Sequence, residues 1–207
     1  MLSIYQLKPR FQNLLRPAVT RLHAMGITAN QVTLAAAVVS VLLGVLLAAF
    51  PQHSWLFALI PLWMLLRMAL NAVDGMLARE FGQQSRLGAY LNELCDLIAD
   101  SALFLPFALL PGVSPLLVVT LVLAALISEY AGVLGPMVGA SRRYDGPMGK
   151  SDRALCFGVL GAGVACGLLP PLWINSLLAL ILALLLYTLY NRVRQGLAEA
   201  ARSVDSK

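Results

Sequence analysis

The sequence predicts an all-α, polytopic membrane protein: six transmembrane helices preceded by an N-terminal amphipathic helix at the membrane interface. Three observations carry this reading. Hydrophobic residues make up 59% of the 207-residue chain and charged residues only 12%, against about 25% charged in soluble domains. The apolar residues come in runs of about twenty, the length that crosses a hydrocarbon core as a helix. Basic residues gather at alternate ends of those runs, the bias that orients a chain crossing a membrane repeatedly. At about 20 residues per span, the chain accommodates one domain of roughly six helices.

Residues 1–30 are too polar to span. Lys8, Arg10, Arg16, Arg21 and His23 alternate with apolar positions, and Leu7, Phe11, Leu14, Leu15, Ala18 and Leu22 keep helical spacing, which predicts a helix lying among the headgroups. Pro17 predicts a kink or a division into two short helices. The basic residues continue through position 21 with no short apolar core before a small-residue site, which argues against a cleavable signal peptide. Thr28 and Asn30 offer caps to a first span at about 31–50, which Pro51 ends.

The second span, about 54–80, contains Arg67. An arginine at that depth must face the protein interior or water and find a partner, and Asp74 or Glu129 are the expected ones. A short polar loop at 81–87 leads to a third span at about 88–110, closed by Pro111 and Gly112. The fourth, about 114–140, carries Glu129, either a functional acid or a structural hydrogen-bond partner. The loop SRRYDGPMGKSDR then gathers Arg142, Arg143, Lys150 and Arg153, an anion site or a plain topology signal. Spans five (about 154–169) and six (about 172–190) are mostly apolar, and the sixth continues as a basic helix with Asn191, Arg192 and Arg194. This gives a juxtamembrane segment at 1–30, a six-helix domain at 31–195 and a C-terminal tail at 196–207. Cys95, Cys156 and Cys166 lie in apolar segments without CxxC spacing and are expected to be small buried residues.

Fourteen of the fifteen Lys and Arg residues lie in the termini, in the loops after spans two and four, or at the adjoining span ends. Both termini are therefore expected in the cytoplasm, with Asp74, Arg79 and Asp96 near the cytoplasmic ends of their helices. The net charge of +5 on that face suits anionic membrane lipids or phosphorylated small molecules, and no nucleic-acid partner is needed to explain it.

The chemistry concentrates in residues 71–100, NAVDGMLAREFGQQSRLGAYLNELCDLIAD. Asn71, Asp74 and Ala78 share one face of a helix, and Asn92, Asp96 and Asp100 form a stripe on the next. Gly75 permits a close approach by a ligand or another backbone. Two facing stripes would bring carboxyl and amide oxygens to one depth, the donors that Mg²⁺, Mn²⁺ or Ca²⁺ require. A polar transport pathway through Arg67, Asp74, Asp96 and Glu129 is a second reading, but conduction gives no reason for the Gly75, Ala78, Arg79 and Gly88 spacing.

That spacing resembles the signature of the class I CDP-alcohol phosphotransferases, DxxDGxxAR, eight residues, then GxxxDxxxD. Here it reads Asn71, Asp74, Gly75, Ala78, Arg79, eight residues, Gly88, Asn92, Asp96, with asparagine at the first and third aspartate positions. The similarity extends over the whole chain, including the amphipathic start and the ITANQVTL segment before span one, and is greatest to a bacterial inner-membrane branch.

The resemblance implies transfer of a phosphatidyl or related phosphoryl group from a CDP-linked donor, such as CDP-diacylglycerol, to an alcohol acceptor with release of CMP. It implies one or two Mg²⁺ or Mn²⁺ ions at Asn71, Asp74, Asn92 and Asp96, with Asp96 also the general base. Asn71, Gly75, Ala78, Arg79 and Gly88 would border the nucleotide. Arg153, Lys150 and Arg142, with Arg143 beside them, would receive a phosphorylated acceptor such as glycerol phosphate. Glu93, Asp100, Arg67 and Glu129 could compensate charge around the two amides. Homodimers are common in the family, and a member that binds nucleotide or lipid without turnover is the alternative that Asn71 and Asn92 raise.

Overall fold

The computed structural model describes residues 4–205, with side chains described over 11–202, so the side chains of Leu7, Lys8 and Arg10 lie outside the described residues. The described chain is helical without strands. Its α-helices are α1 (Ile4–Ala24), α2 (Ala29–Ala49), α3 (Leu59–Glu80), α4 (Arg86–Phe104), α5 (Pro115–Val133), α6 (Lys150–Ala165) and α7 (Pro171–Asp205). Short 3-10 turns at Ser54–Ala58, Leu105–Leu109 and Gly135–Val138 lead into α3, follow α4 and follow α5.

The caps explain where several helices begin. Thr28 accepts a hydrogen bond from the Gln31 amide at 3.3 Å while the Gln31 side chain accepts from the Thr28 amide at 2.9 Å, a reciprocal capping box that starts α2. Asn30, the other expected cap, lies inside the helix. Ser85 caps α4 by accepting from the Gly88 amide at 2.9 Å, and Ser114 with Pro115 starts α5.

α1 is one helix across Pro17 rather than two short ones. The proline removes one internal hydrogen bond, but Val19, fully buried, with Leu15 and Leu22, packs on Val73, Met76 and Leu77 of α3 and holds the helix through the gap. Arg16 also reaches Glu80 at 3.1 Å, and His23 stacks on Phe81 with ring centroids 4.2 Å apart.

Four stretches among the described residues are long and apolar enough to cross a membrane: Ala29–Ala49, Ser54–Glu80, Pro115–Val133 and Pro171–Arg202. Two of the six expected spans fall short of that measure. α4 carries Arg86, Glu93, Asp96 and Asp100 within 19 residues, and α6 is 16 residues long and begins with Lys150, Asp152 and Arg153. α7 runs without a break through the expected tail boundary to Asp205.

α2 packs on α3 and α4, α3 on α6, and α5 on α7. The main core lies at the end of α3 and α4 remote from the signature residues. There Phe104 and Phe157 stack at 3.7 Å, and Phe107 meets Phe57 and Phe157 edge-on at 5.1 and 5.3 Å. Cys95 is buried as expected, Cys156 is half-buried, and Cys166 is exposed because it terminates α6. Gly44 is where α2 and α4 approach most closely, since a Cβ there would overlap the carbonyl of Ala102. Gly44→Val should therefore force the helices apart and cost about 1–3 kcal/mol of stability; a lowered thermal midpoint in detergent is the expected result.

Candidate active site

α3 and α4 run antiparallel across the short 81–85 turn, so their facing stripes meet at one end of the bundle. Asn71, Asp74, Gly75, Ala78 and Arg79 of α3 and Gly88, Asn92, Glu93 and Asp96 of α4 line a single cavity of about 1110 Å³. Thr33 from α2, Tyr144 and Lys150 complete its wall. Gly88 sits close to the Asn30 side chain, since a Cβ there would stand 2.8 Å from the Asn30 side-chain oxygen and displace it.

The two signature carboxylates are held in different ways. Asp74, 6% exposed, accepts a hydrogen bond from the Thr33 hydroxyl at 2.7 Å. Asp96 lies between two cations: Arg67 donates to Oδ1 at 3.1 Å and to its backbone carbonyl at 3.2 Å, while the Lys150 ammonium pairs with Oδ2. Arg67 thus finds Asp96 and, at 2.5 Å, Asp100, instead of the expected Asp74 or Glu129. Asp96 and Asp100 are successive positions on one face of α4, level with Arg67, whereas Asp74 has turned toward α2.

The pairing continues inward from Asp100. Arg153 donates to Asp100 at 3.2 Å and to Glu129 at 2.9 Å, and Arg192 of α7 donates to Glu129 at 3.3 Å and to the Ser128 carbonyl at 2.5 Å. Arg142 pairs with Glu93 and lies 3.9 Å from Glu129. Of the three cations expected to receive an acceptor phosphate, only Lys150 lines the cavity; Arg153 is 1% exposed and points into the protein. Arg143 binds Asp145 at 2.8 and 2.9 Å and also pairs with Glu199 of α7, which fastens the 139–149 loop. That bidentate guanidinium holds the Asp145 carboxyl below the usual carboxylate range.

A second, apolar cleft of about 510 Å³ opens between α3 and α6, lined by residues such as Met64, Leu65, Met68, Leu155 and Val159. It shares Asn71 and Lys150 with the polar cavity, and Arg67 and Asp100 line its inner end.

Among the described residues no three His, Cys, Asp or Glu side chains come together as a metal cluster. The reason lies in the sequence, since two of the four positions in question are amides. The set Asn71, Asp74, Asn92 and Asp96 nevertheless lines one wall with oxygen donors alone, which suits a hard divalent cation. Sequence reasoning missed Thr33, Tyr144 and Arg192. Thr33 carried a faint signal as an early polar residue in an apolar span, and Arg192 was hidden among basic residues that topology already explained.

The CDP-alcohol phosphatidyltransferase family model matches residues 26–193. The chain belongs to that family. A family member from Escherichia coli, inner membrane protein YnbA, is 46% identical over 200 residues, covering 97% of this chain and 99% of its own. Phosphatidylinositol phosphate synthase from Mycolicibacterium smegmatis is 28% identical over 170 residues, 80% of this chain and 75% of that one. The fold is that of Mycobacterium tuberculosis phosphatidylinositol phosphate synthase. Its crystal structure with CDP-DAG bound superposes with a TM-score of 0.73 at 20% identity over 87% of this chain and 92% of that one. Its complex with manganese and citrate gives 0.69 at 21% identity over 87% of each.

Within the family frame, Thr33 is the one side chain donating to Asp74 among the described hydrogen bonds. Thr33→Val should leave that buried carboxylate without its donor, lowering stability by about 1–3 kcal/mol, while Thr33→Ser should restore most of the loss. Thermal unfolding of the two variants side by side checks this.

Proposed function

We propose that the chain transfers the phosphatidyl group of CDP-diacylglycerol to an alcohol and releases CMP. The observation that carries this reading is the meeting of two cavities at Asn71 and Lys150. The polar one, walled by Asp74, Arg79 and Asp96, suits a cytidine diphosphate, and the apolar one, open along the α3–α6 flank, suits acyl chains. A water-soluble CDP-alcohol reacting with a water-soluble acceptor would leave that second cleft without a purpose. The CDP-DAG bound to the mycobacterial protein of the same fold supports the choice of donor.

In this reading Asn71, Gly75, Ala78, Arg79 and Gly88 border the nucleotide. Asn71, Asp74, Asn92 and Asp96 would hold Mg²⁺ or Mn²⁺, which when bound neutralises the diphosphate and makes CMP a better leaving group. The acceptor oxygen attacks the phosphatidyl phosphorus, the bond from that phosphorus to the CMP oxygen breaks, and the hydroxyl proton passes to Asp96. Both oxygens of Asp96 already accept hydrogen bonds from cations, which lowers the carboxylate's basicity, so release of one cation favours proton uptake. Arg67 is 4% exposed and fixed on two aspartates, whereas the Lys150 side chain is 35% exposed. Lys150 is the one that moves, toward the donor diphosphate at the junction of the two cavities, and so frees Oδ2.

The same reading places six spans in a bacterial inner membrane, α1 in the cytoplasmic headgroup region, and both termini and the polar cavity on the cytoplasmic side. The fourteen peripheral Lys and Arg residues support this orientation.

Purified protein supplied with CDP-diacylglycerol, a panel of alcohols and Mg²⁺ or Mn²⁺ should release CMP. Asp96→Asn should reduce the rate by at least about 100-fold, the low end of general-base catalysis. Asn71 and Asn92 favour one other reading, a protein that binds donor without turnover. Donor held by the wild-type chain with no CMP released under any metal or acceptor would establish that reading and sink the transferase.

A further inference from the structure

We infer that the acceptor alcohol carries no phosphate of its own and that Glu129 is the residue that decides this; the inference rests on the transferase reading above. Three guanidinium groups converge on the Glu129 carboxylate from separate parts of the chain. Arg153 of α6 and Arg192 of α7 reach Oε1 at 2.9 and 3.3 Å, and Arg142, from the loop before α6, lies 3.9 Å from Oε2. Arginines converging on one oxyanion are the arrangement that recognises phosphate, through planar forks of N–H donors. Here the oxyanion is supplied by the chain itself.

The five cations around it are already engaged with four carboxylates. Arg67, Arg142, Lys150, Arg153 and Arg192 are each paired with at least one of Glu93, Asp96, Asp100 and Glu129. Arg153 and Arg192 are only 1% and 2% exposed, so a phosphate could reach them only by displacing Glu129. A phosphorylated acceptor would bring about two further negative charges into a region where five cations already share four carboxylates, leaving negative charge in excess, and burying unpaired charge is strongly unfavourable. The hydroxyls of an uncharged polyol meet no such opposition. The Nε–H groups of Arg142, Arg153 and Arg192 have no protein acceptor. With the Nη groups that loss of Glu129 would release, they complete forks able to take a phosphate. Glu129 is therefore a specificity residue acting on the acceptor through Arg153 and Arg192, not a catalytic one.

The test compares alcohols with their own phosphates, inositol with inositol phosphate and glycerol with glycerol phosphate, by CMP release from CDP-diacylglycerol. The wild-type chain should prefer the unphosphorylated member by at least about tenfold in kcat/KM, and Glu129→Gln should move that ratio toward the phosphate by a similar factor, the scale of a mismatched polar contact. A second readout needs no turnover. Millimolar inorganic phosphate should raise the Tm of Glu129→Gln and Glu129→Ala in detergent and leave that of the wild type unchanged. Wild-type preference for the phosphorylated alcohol, or a wild-type Tm raised by phosphate as much as that of the variants, overturns the inference. Should both variants fail to fold, the wild-type preference between each alcohol and its phosphate still decides it. Absence of CMP release with every acceptor would sink the transferase reading alone, and the Tm responses would still show whether Glu129 fills an anion site.

Discussion

The structure depends on an alternating chain of buried charges. Lys150, Asp96, Arg67, Asp100, Arg153, Glu129 and Arg192 follow one another, each cation joined to the next acid by a contact of hydrogen-bond length. Alone, any of them would be costly at the depth of a membrane. In sequence they satisfy one another, and because they come from α3, α4, α5, α6 and α7 they tie five helices together at one level. A slip of one helix by a turn, about 5.4 Å, would break several of these contacts at once. Arg67 and Arg153 each hold two carboxylates and keep one if the other is lost, whereas Arg192 without Glu129 keeps only the Ser128 carbonyl. Apolar packing holds the other end of the bundle, where the phenylalanine cluster lies, and it holds α1 and α2 against α3.

Asp96 belongs to this chain and to the cavity wall at once, which constrains what the cavity can contain. Its pairing with Arg67 is interior and fixed, while its pairing with Lys150 faces the cavity and can be exchanged. Asp74 stands outside the chain of charges and is held by a neutral hydroxyl. Aspartate at positions 71 and 92 would add two negative charges to a wall where Asp96 already engages Lys150 and Arg67. The amides keep the oxygen donors and leave that balance intact, so the two asparagines and the paired cations are parts of one electrostatic arrangement.

Much of this was legible in the residues. The i, i+3 and i+4 stripes of Asn71, Asp74 and Ala78 and of Asn92, Asp96 and Asp100 do share helix faces, and the first of them lines the cavity with Asn92 and Asp96. α2, the first expected span, begins and ends within about two residues of its expected place because Thr28 and Pro51 act locally. What escaped the sequence was partnership. Helical spacing puts Arg67 on the stripe of Asp74 within α3, but spacing on one helix says nothing about which face of α4 stands opposite. Arg153 and Lys150 looked alike in a basic loop, yet α6 starts at Lys150, so one turn of helix carries Arg153 into the interior while Lys150 stays at the cavity.

The same distinction explains why α4, and α6 beyond its 16-residue length, fall below the apolar measure that α2, α3, α5 and α7 meet. Mean hydropathy averages over every face of a helix, whereas a membrane meets only the outward one. On α4 the outward residues include Leu94 and Ile98, each 53% exposed, and on α6 Leu155 and Val159, 68% and 59% exposed. Their charged residues Asp100 and Arg153 are turned inward and paired with each other. The 19 residues of α4 give a length of about 28 Å, close to the roughly 30 Å hydrocarbon thickness, and the 3-10 turn at Leu105–Leu109 extends it. A helix built this way offers lipid an apolar surface whatever its average, because its ionic partners travel with it inside the bundle. Six spans are therefore compatible with four apolar averages, and the two helices that lower the count each carry two members of the charge chain where α3, α5 and α7 carry one.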